Sequence, residues 1–208
     1  MYQKKLNLTT SDAEYWERSY QSGEMGWDLE GPTPIFDLWI KTCKKVLSIC
    51  ILGAGNGWDA FNFAKRGHMV TAIDFAESAV INMQTTAYHN GIKMDILHMD
   101  IFDLSDVYTN HFDVVMEYTC FCAIDQEKRR DYLKMAHYIL KPQGEFVGVL
   151  FPTDKDPSEG GPPFAVQLEP TLQLFSEFFS LIVKEIPSLS IKPRVGRELF
   201  VRFSKDKY

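Results

Sequence analysis

Apolar runs of five to seven residues recur along this chain, separated by stretches whose apolar positions are spaced for helix. The runs at 46–52, 69–73, 94–98, 112–118 and 145–151 predict strands, several of them continuous in Val, Ile and Leu. Continuous apolar strands belong to parallel sheets covered on both faces, whereas a strand with one wet face alternates. Between them, 58–66 stops at Gly67, 77–90 stops at Gly91, and 126–140 starts behind Asp125 and stops before Pro142. Gly just past the last turn and Pro beyond it are helix stop signals. Strand–helix alternation of this kind predicts an α/β fold with a doubly wound, Rossmann-like sheet. After residue 151 the pattern changes. Residues 152–163 are rich in Pro, Gly and acid, a helix is predicted near 170–178, and strands at 181–186 and 198–204 form a hairpin-like edge.

The first 45 residues lie outside this alternation. Ser11-Asp12-Ala13-Glu14 reads as a capping box, with Ser as N-cap and Glu reaching back, opening a helix to Ser22 that ends at Gly23. Thr33-Pro34 opens a second helix through Lys41, with Pro at N1. No repeat, low-complexity tract or linker divides the chain. The expected organisation is one domain over 1–208, a helical cover (1–45) on an α/β core (46–208).

Composition narrows the function. With 22 Lys and Arg against 28 Asp and Glu the net charge is −6, which argues against broad binding to nucleic acid or anionic lipid. The expected partner is a small molecule, with no nucleic acid, no membrane and no obligate protein partner. No apolar run approaches the roughly 18–20 residues of a membrane span, and the two lysines near the start are followed by no apolar signal region. Cys120 and Cys122, two apart in a β-like run, would share one sheet face rather than form a C-x₂-C zinc knuckle. Cys43, Cys50, Cys120 and Cys122 read as buried free thiols of a reducing compartment, so the cytoplasm is the expected location.

The chemistry begins at Gly53-Ala54-Gly55-Asn56-Gly57, which follows the first buried strand and opens a helix. Its spacing is G-x-G-x-G rather than the G-x-G-x-x-G that seats a pyrophosphate. A ligand end without phosphates, such as the amino-acid end of S-adenosylmethionine, fits it better than NAD. Asp74 ends the second strand, 17 residues beyond the last glycine. An acid about 20 residues past such glycines accepts the ribose hydroxyls of a nucleoside; the alternative is an N-cap for the next helix. Asp100 ends the third strand and is either an acceptor for an adenine amino group or a turn residue. Trp16 and Tyr20, four apart, share one helix face, and Trp27 follows downstream of the helix. Spacing alone favours core packing, although aromatic faces would also suit a sulfonium cation, each contributing roughly 0.5–2 kcal/mol. His68, His89, His98, His111 and His137 show no metal-binding spacing, no nucleophilic triad assembles, and 127–131 reads as a solvated helix face.

The glycine loop, Asp74 and Leu140-Lys141-Pro142-Gln143-Gly144 resemble class I S-adenosylmethionine-dependent methyltransferases. Trp16 through Pro34, Glu117-Tyr118-Thr119-Cys120-Phe121-Cys122-Ala123-Ile124 and Glu159-Gly160-Gly161-Pro162-Pro163-Phe164 narrow this. They resemble the thiopurine S-methyltransferase superfamily, in its plant-type halide/thiol (thiocyanate) methyltransferase branch. The resemblance covers nearly the whole chain from about Ser11. It implies a seven-stranded sheet in the order 3-2-1-4-5-7-6 with strand 7 antiparallel, and a front helix that closes over the cofactor as a lid. It assigns Trp16, Tyr20, Trp27, Gly53, Gly55, Gly57, Asp74, Asp100, Ile101 and Tyr118 to S-adenosyl-L-methionine, whose product is S-adenosyl-L-homocysteine. Tyr20 stands where plant members carry Trp, and Phe151 where some carry a Tyr hydroxyl near the acceptor. Tyr118, Phe121, Phe151 and Pro162 are the candidate acceptor pocket, with no metal. The implied reaction is in-line methyl transfer to a thiol, hydrosulfide, thiocyanate or halide. Such an acceptor is its own nucleophile, since even a thiol of pKa about 8.5 carries a few per cent thiolate at neutral pH. The alternatives are a thiopurine-like heterocycle as acceptor, or a cofactor-binding regulatory module without turnover.

Overall fold

Five successive buried residues, Ser48–Leu52, make β1, and their side chains alternate between two cores. Ile49 and Ile51 enter one cluster, Cys50 and Leu52 the other, as the period of two in a strand requires. This computed structural model describes residues 8–206, so the first seven residues of the expected cover and the last two of the chain lie outside it. In chain order the elements are α1 (Ala13–Ser22), α2 (Pro34–Ile40), β1, α3 (Trp58–Lys65), β2 (Met69–Asp74), α4 (Glu77–Asn90), β3 (Asp95–His98), α5 (Leu104–Val107) and β4 (Phe112–Tyr118). There follow α6 (Arg129–Ile139), β5 (Leu140–Leu150), α7 (Leu168–Ser176), β6 (Ser180–Glu185) and β7 (Leu199–Ser204). The seven strands lie in the order β3-β2-β1-β4-β5-β7-β6. β1 to β5 pair in parallel, while β7 runs antiparallel to both β5 and β6. The expected sheet is the observed one.

On one face α6 and α7 pack Tyr132, Phe146, Phe175, Phe179 and Phe203 together, with Phe175 stacked on Phe203 at 4.6 Å. On the other, Phe36 and Trp39 of α2 join Phe61, Phe63 and Met83. Among the described residues no helix is long and apolar enough to cross a membrane.

Four local expectations are corrected. The capping box does not form: Asp12 is the N-cap, and its carboxylate accepts from the Thr9 amide at 2.8 Å and the Thr9 hydroxyl at 2.9 Å. A carboxylate is the stronger acceptor, so its turn displaces the Ser11 cap. Leu140–Gly144, read as a turn, lies within the bounds of β5 but bulges out of the ladder: the register jumps from Leu140 opposite Phe112 to Glu145 opposite Val114, with Gln143 at φ 64°. Cys120 and Cys122 lie beyond the end of β4 in a turn, not on a strand; Cys122 is buried while Cys120 is half-buried. Arg129 is not on a solvated face. It shares a helix stripe with Tyr132, Leu133 and Ala136, so helical geometry carries it inside, where it is 6% exposed.

Arg129 and Glu117 are thus two titratable groups buried in the core without a salt bridge between them. Glu117 of β4 is 1% exposed; one carboxylate oxygen accepts from the Phe121 amide at 2.9 Å, and the other has no hydrogen-bond partner. Arg129 donates to the Ala165 carbonyl at 3.0 Å and stacks on Phe121 at 4.6 Å, leaving Nε and Nη2 unpartnered. Burial pushes the Glu117 carboxyl up to about 7, against the Phe121 and Cys120 amides and the Arg129 charge.

Two outcomes follow from this core. Phe175→Ala should destabilise the fold by about 3–5 kcal/mol, read as a lower urea midpoint at unchanged slope. Glu117 holds its proton more tightly folded than unfolded, where a Glu titrates near about 4.3. Stability should therefore fall as pH rises from about 4.5 through about 7. Melting temperatures across that window should show a shallower decline for Glu117→Gln than for the wild type. An equal slope would mean that Glu117 is not titrating there.

Candidate active site

Strand order reverses between β1 and β4, and the crevice at such a switch point, beyond the carboxyl ends of the strands, is where open α/β sheets bind ligands. A cleft of about 800 Å³, measured out to its open mouth, lies there. The β1 glycine loop, the end of β2, the 3₁₀ turn after β3 and the turn after β4 form its floor, and the front segment forms its roof. Trp16, Tyr20, Trp27, Gly53, Gly55, Asp74, Asp100 and Ile101 all line it. Phe75, Phe102, Ala123 and Ile124 add apolar wall, and Thr10, Ser11, Thr119, Cys120, Asp125 and Lys128 complete it.

Asp74 organises the floor. It is 7% exposed, with one oxygen accepting from the Gly55 amide at 2.9 Å and the other from the Ala76 amide at 2.9 Å. Each oxygen keeps a further lone pair. Burial raises its pKa and the Ala76, Gly55 and Phe75 amides pull it back. The residue thus ties the glycine loop to the segment entering α4, whose N-cap is Ala76 and not Asp74. Gly53 has φ 58°, and a Cβ there would sit 3.0 Å from the Cys120 sulfur, so only glycine lets β1 turn under the β4 turn. Gly57 faces elsewhere: a Cβ on it would strike Met83, which places it in helix packing rather than in the cleft. Asp100 caps the 3₁₀ turn by accepting from the Phe102 amide at 3.0 Å while still lining the cleft.

The roof is an aromatic cluster. Trp27 meets Trp16 edge-on at 5.3 Å and Tyr20 at 5.8 Å, and no residue of α1 is fully buried. The stripe therefore faces the cleft and not the core. Tyr20 lies directly over the glycine loop, its hydroxyl 3.4 Å from where a Gly55 Cβ would be. Burial and the Asp74 charge raise its pKa, keeping it a neutral phenol. Polar ties hold the roof down at separate points. Glu17 accepts from the Ser78 amide at 2.9 Å and from the Ser78 hydroxyl in the first turn of α4. Asp28 accepts from Trp58 at 2.7 Å and from Asn56, and Lys128 donates to Ser11 at 3.0 Å.

The acceptor candidates separate. Tyr118 lines a second cavity that shares Trp27, Gly53, Gly55 and Thr119 with the first, so the two are neighbours under one roof. Its hydroxyl donates to Glu198. Phe151 is half-buried beneath the guanidinium groups of Arg194 and Arg197. Pro162 is half-buried in a loop docked on the β4 turn by the Phe164 amide, which donates to the Cys122 carbonyl at 2.7 Å. Phe121 is not brought to the cleft: it is 1% exposed and packs on Tyr132 and Phe175. Thr119, at φ 61°, walls both cavities and was missed by sequence reasoning. A β-branched residue in that region is strained, and the Glu117 carboxylate on the Phe121 amide braces the turn. Lys128, on the 3₁₀ turn before α6, reads in the sequence as part of a solvated helix face and Glu198 as the start of a strand, while Arg194 lies in a connection without periodic signal.

The chain is similar to known proteins over nearly its whole length. The chain is 28% identical over 197 residues to a probable thiol methyltransferase 2 of Arabidopsis thaliana, covering 91% of this chain and 84% of that protein. It is 29% identical over 198 residues to thiocyanate methyltransferase 1 of Brassica oleracea, with the same coverage. The fold is shared with 1,6-didemethyltoxoflavin-N1-methyltransferase of Burkholderia thailandensis, solved with 1,6-didemethyltoxoflavin and S-adenosylhomocysteine bound. The TM-score is 0.73 at 21% identity, over 99% of this chain and 93% of that one. The sequence profile of thiopurine S-methyltransferase matches residues 11–198, and the chain belongs to that family.

Proposed function

We propose that this protein is an enzyme that moves a methyl group from S-adenosyl-L-methionine to a small soft nucleophile, releasing S-adenosyl-L-homocysteine. A thiol, hydrosulfide, thiocyanate or halide is the acceptor. The observation that carries this reading is the convergence of the glycine loop, the buried Asp74 carboxylate and the aromatic roof on one cleft at the switch point. The donor set fits the cofactor. Asp74 would accept the ribose hydroxyls, Gly53 and Gly55 would pass the amino-acid end, and Asp100 and Ile101 would border the adenine. Trp16, Tyr20 and Trp27 offer aromatic faces to a cationic sulfur.

When bound, the cofactor supplies a methyl already activated on a positively charged sulfur. What remains for the chain is alignment and exclusion of water. The roof ties and the buried floor serve both, and Tyr118 and Phe151, with the Pro162 loop, would border the acceptor. Cover and α/β core act in this reading as one catalytic unit, because each supplies walls of the same cleft. Free Cys43, Cys50, Cys120 and Cys122 suit a reducing, cytoplasmic setting.

Asp74→Ala should weaken S-adenosyl-L-methionine binding by roughly 1.5–3 kcal/mol, as expected for hydrogen bonds to a charged group. Calorimetry is the check, and wild-type affinity in the variant would remove Asp74 from the site. An acceptor panel with labelled cofactor tests the reaction itself. Iodide, thiocyanate and hydrosulfide should be good acceptors and strongly hydrated chloride the poorest. A thiopurine preferred over every inorganic anion and small thiol would sink the acceptor assignment.

A further inference from the structure

Arg194 lies in the connection between β6 and β7, far in sequence from every cleft motif, and its side chain is 4% exposed. The guanidinium lies 4.9 Å from the Tyr118 ring centroid and 5.1 Å from that of Phe151. Nη2 donates to the backbone of the roof, 2.9 Å to the Trp27 carbonyl and 3.4 Å to that of Gly26. Nη1 is shut off from solvent and has no hydrogen-bond partner. The other cation over Phe151, Arg197 at 5.4 Å, is already neutralised by both oxygens of Asp154 at 2.7 and 2.9 Å. Nor is Glu198, four residues on, a hydrogen-bond partner for Arg194. Its two oxygens accept from the Tyr118 hydroxyl and from the Ser190 hydroxyl at 2.5 Å. A buried cation with an unspent N–H thus stands where the ends of β4 and β5 meet the roof.

A guanidinium N–H buried without an acceptor is costly, and the group cannot shed its charge. A small monoanion relieves both costs at once, and the flanking aromatic rings favour one that gives up water easily. The guanidinium is also a rigid plane, so what Nη1 grips orients Nη2. We infer that Arg194 recognises the anionic acceptor through Nη1 while holding Trp27 of the roof through Nη2, so that acceptor and cofactor tighten each other's binding. This rests on the methyl-transfer reading for the identity of the anion. A neutral acceptor would leave Nη1 unpaired, so the residue selects for thiocyanate, hydrosulfide, iodide or a thiolate by charge. Such coupling is reciprocal between the two ligands.

The test is a binding measurement that needs no turnover. S-adenosyl-L-homocysteine is titrated calorimetrically into the enzyme with and without thiocyanate, with ionic strength held constant by chloride. Thiocyanate should tighten the wild type by about fivefold or more, the usual scale of coupled sites. Arg194→Met should reduce that factor to one and, in the transfer assay, raise the KM for thiocyanate by about tenfold or more. Arg194→Lys keeps the charge without the planar pair of donors. It should retain part of the thiocyanate affinity yet lose the coupling. A folded Arg194→Met with wild-type coupling and KM would overturn the inference, as would full coupling in Arg194→Lys should the methionine variant fail to fold. A wild type that couples the two ligands but transfers no methyl to any anion or thiol would instead sink the reaction while supporting the Arg194 site.

Discussion

Much of this protein hangs on where one buried carboxylate spends its hydrogen bonds. Asp74 accepts one amide from the glycine loop and one from the start of α4, so the turns after β1 and β2 are held to each other at the open end of the sheet. Desolvating a carboxylate is expensive, and backbone amides are what make the ionised form tolerable there. The glycine loop then has a fixed shape, and Tyr20 can settle on Gly55 without a side chain in between. Ribose recognition, if the carboxylate also takes a nucleoside, is carried by the remaining lone pairs of a group already immobilised. That is preorganisation, which lowers the ordering cost of binding.

The roof is built on a different principle. No residue of α1 is fully buried, so apolar burial does little to hold it. Polar ties to α4, to the glycine-loop region and to the start of α6 hold it instead. Such hydrogen bonds contribute modestly one by one, typically about 0.5–1.5 kcal/mol each and more to a charged group. Arg194 differs from those ties because it is buried, and it joins the roof to Tyr118 and Phe151.

The interior carries more unsatisfied charge than stability alone would favour. Glu117, Arg129 and Arg194 are all less than 10% exposed and each leaves polar atoms unpartnered. Apolar residues of similar volume would usually be no worse for stability. Their positions give the reason for keeping them. Glu117 braces the strained turn at Thr119, Arg129 ties that turn's helix to the loop through Ala165, and Arg194 joins the roof to Phe151 and Tyr118. Each grips backbone that walls or supports the cleft.

What could be read from the residues alone follows a physical division. Strand and helix order came from periodicity, which is local, and the glycine loop with Asp74 came from spacing within one strand–helix–strand unit, also local. The roof aromatics were ambiguous, because a helical stripe is the same whether it faces a core or a cleft, and family resemblance resolved them where spacing did not. The Ser11 box failed to a competing carboxylate one residue away, and the turn expected at 140–144 became a bulge inside β5, flanked by pairs to β4 on either side. Arg129 was legible in principle from its stripe with Tyr132, Leu133 and Ala136, but its charge pointed the other way. Arg194 was not legible at all. It sits 167 residues from Trp27 in a loop without pattern, and only the pairing of β7 against β5 brings it between Tyr118 and Phe151. The chain's order thus determined the sheet and the floor of the cleft, whereas tertiary packing decided which charges were stranded inside, because desolvation depends on neighbours in space and not in sequence.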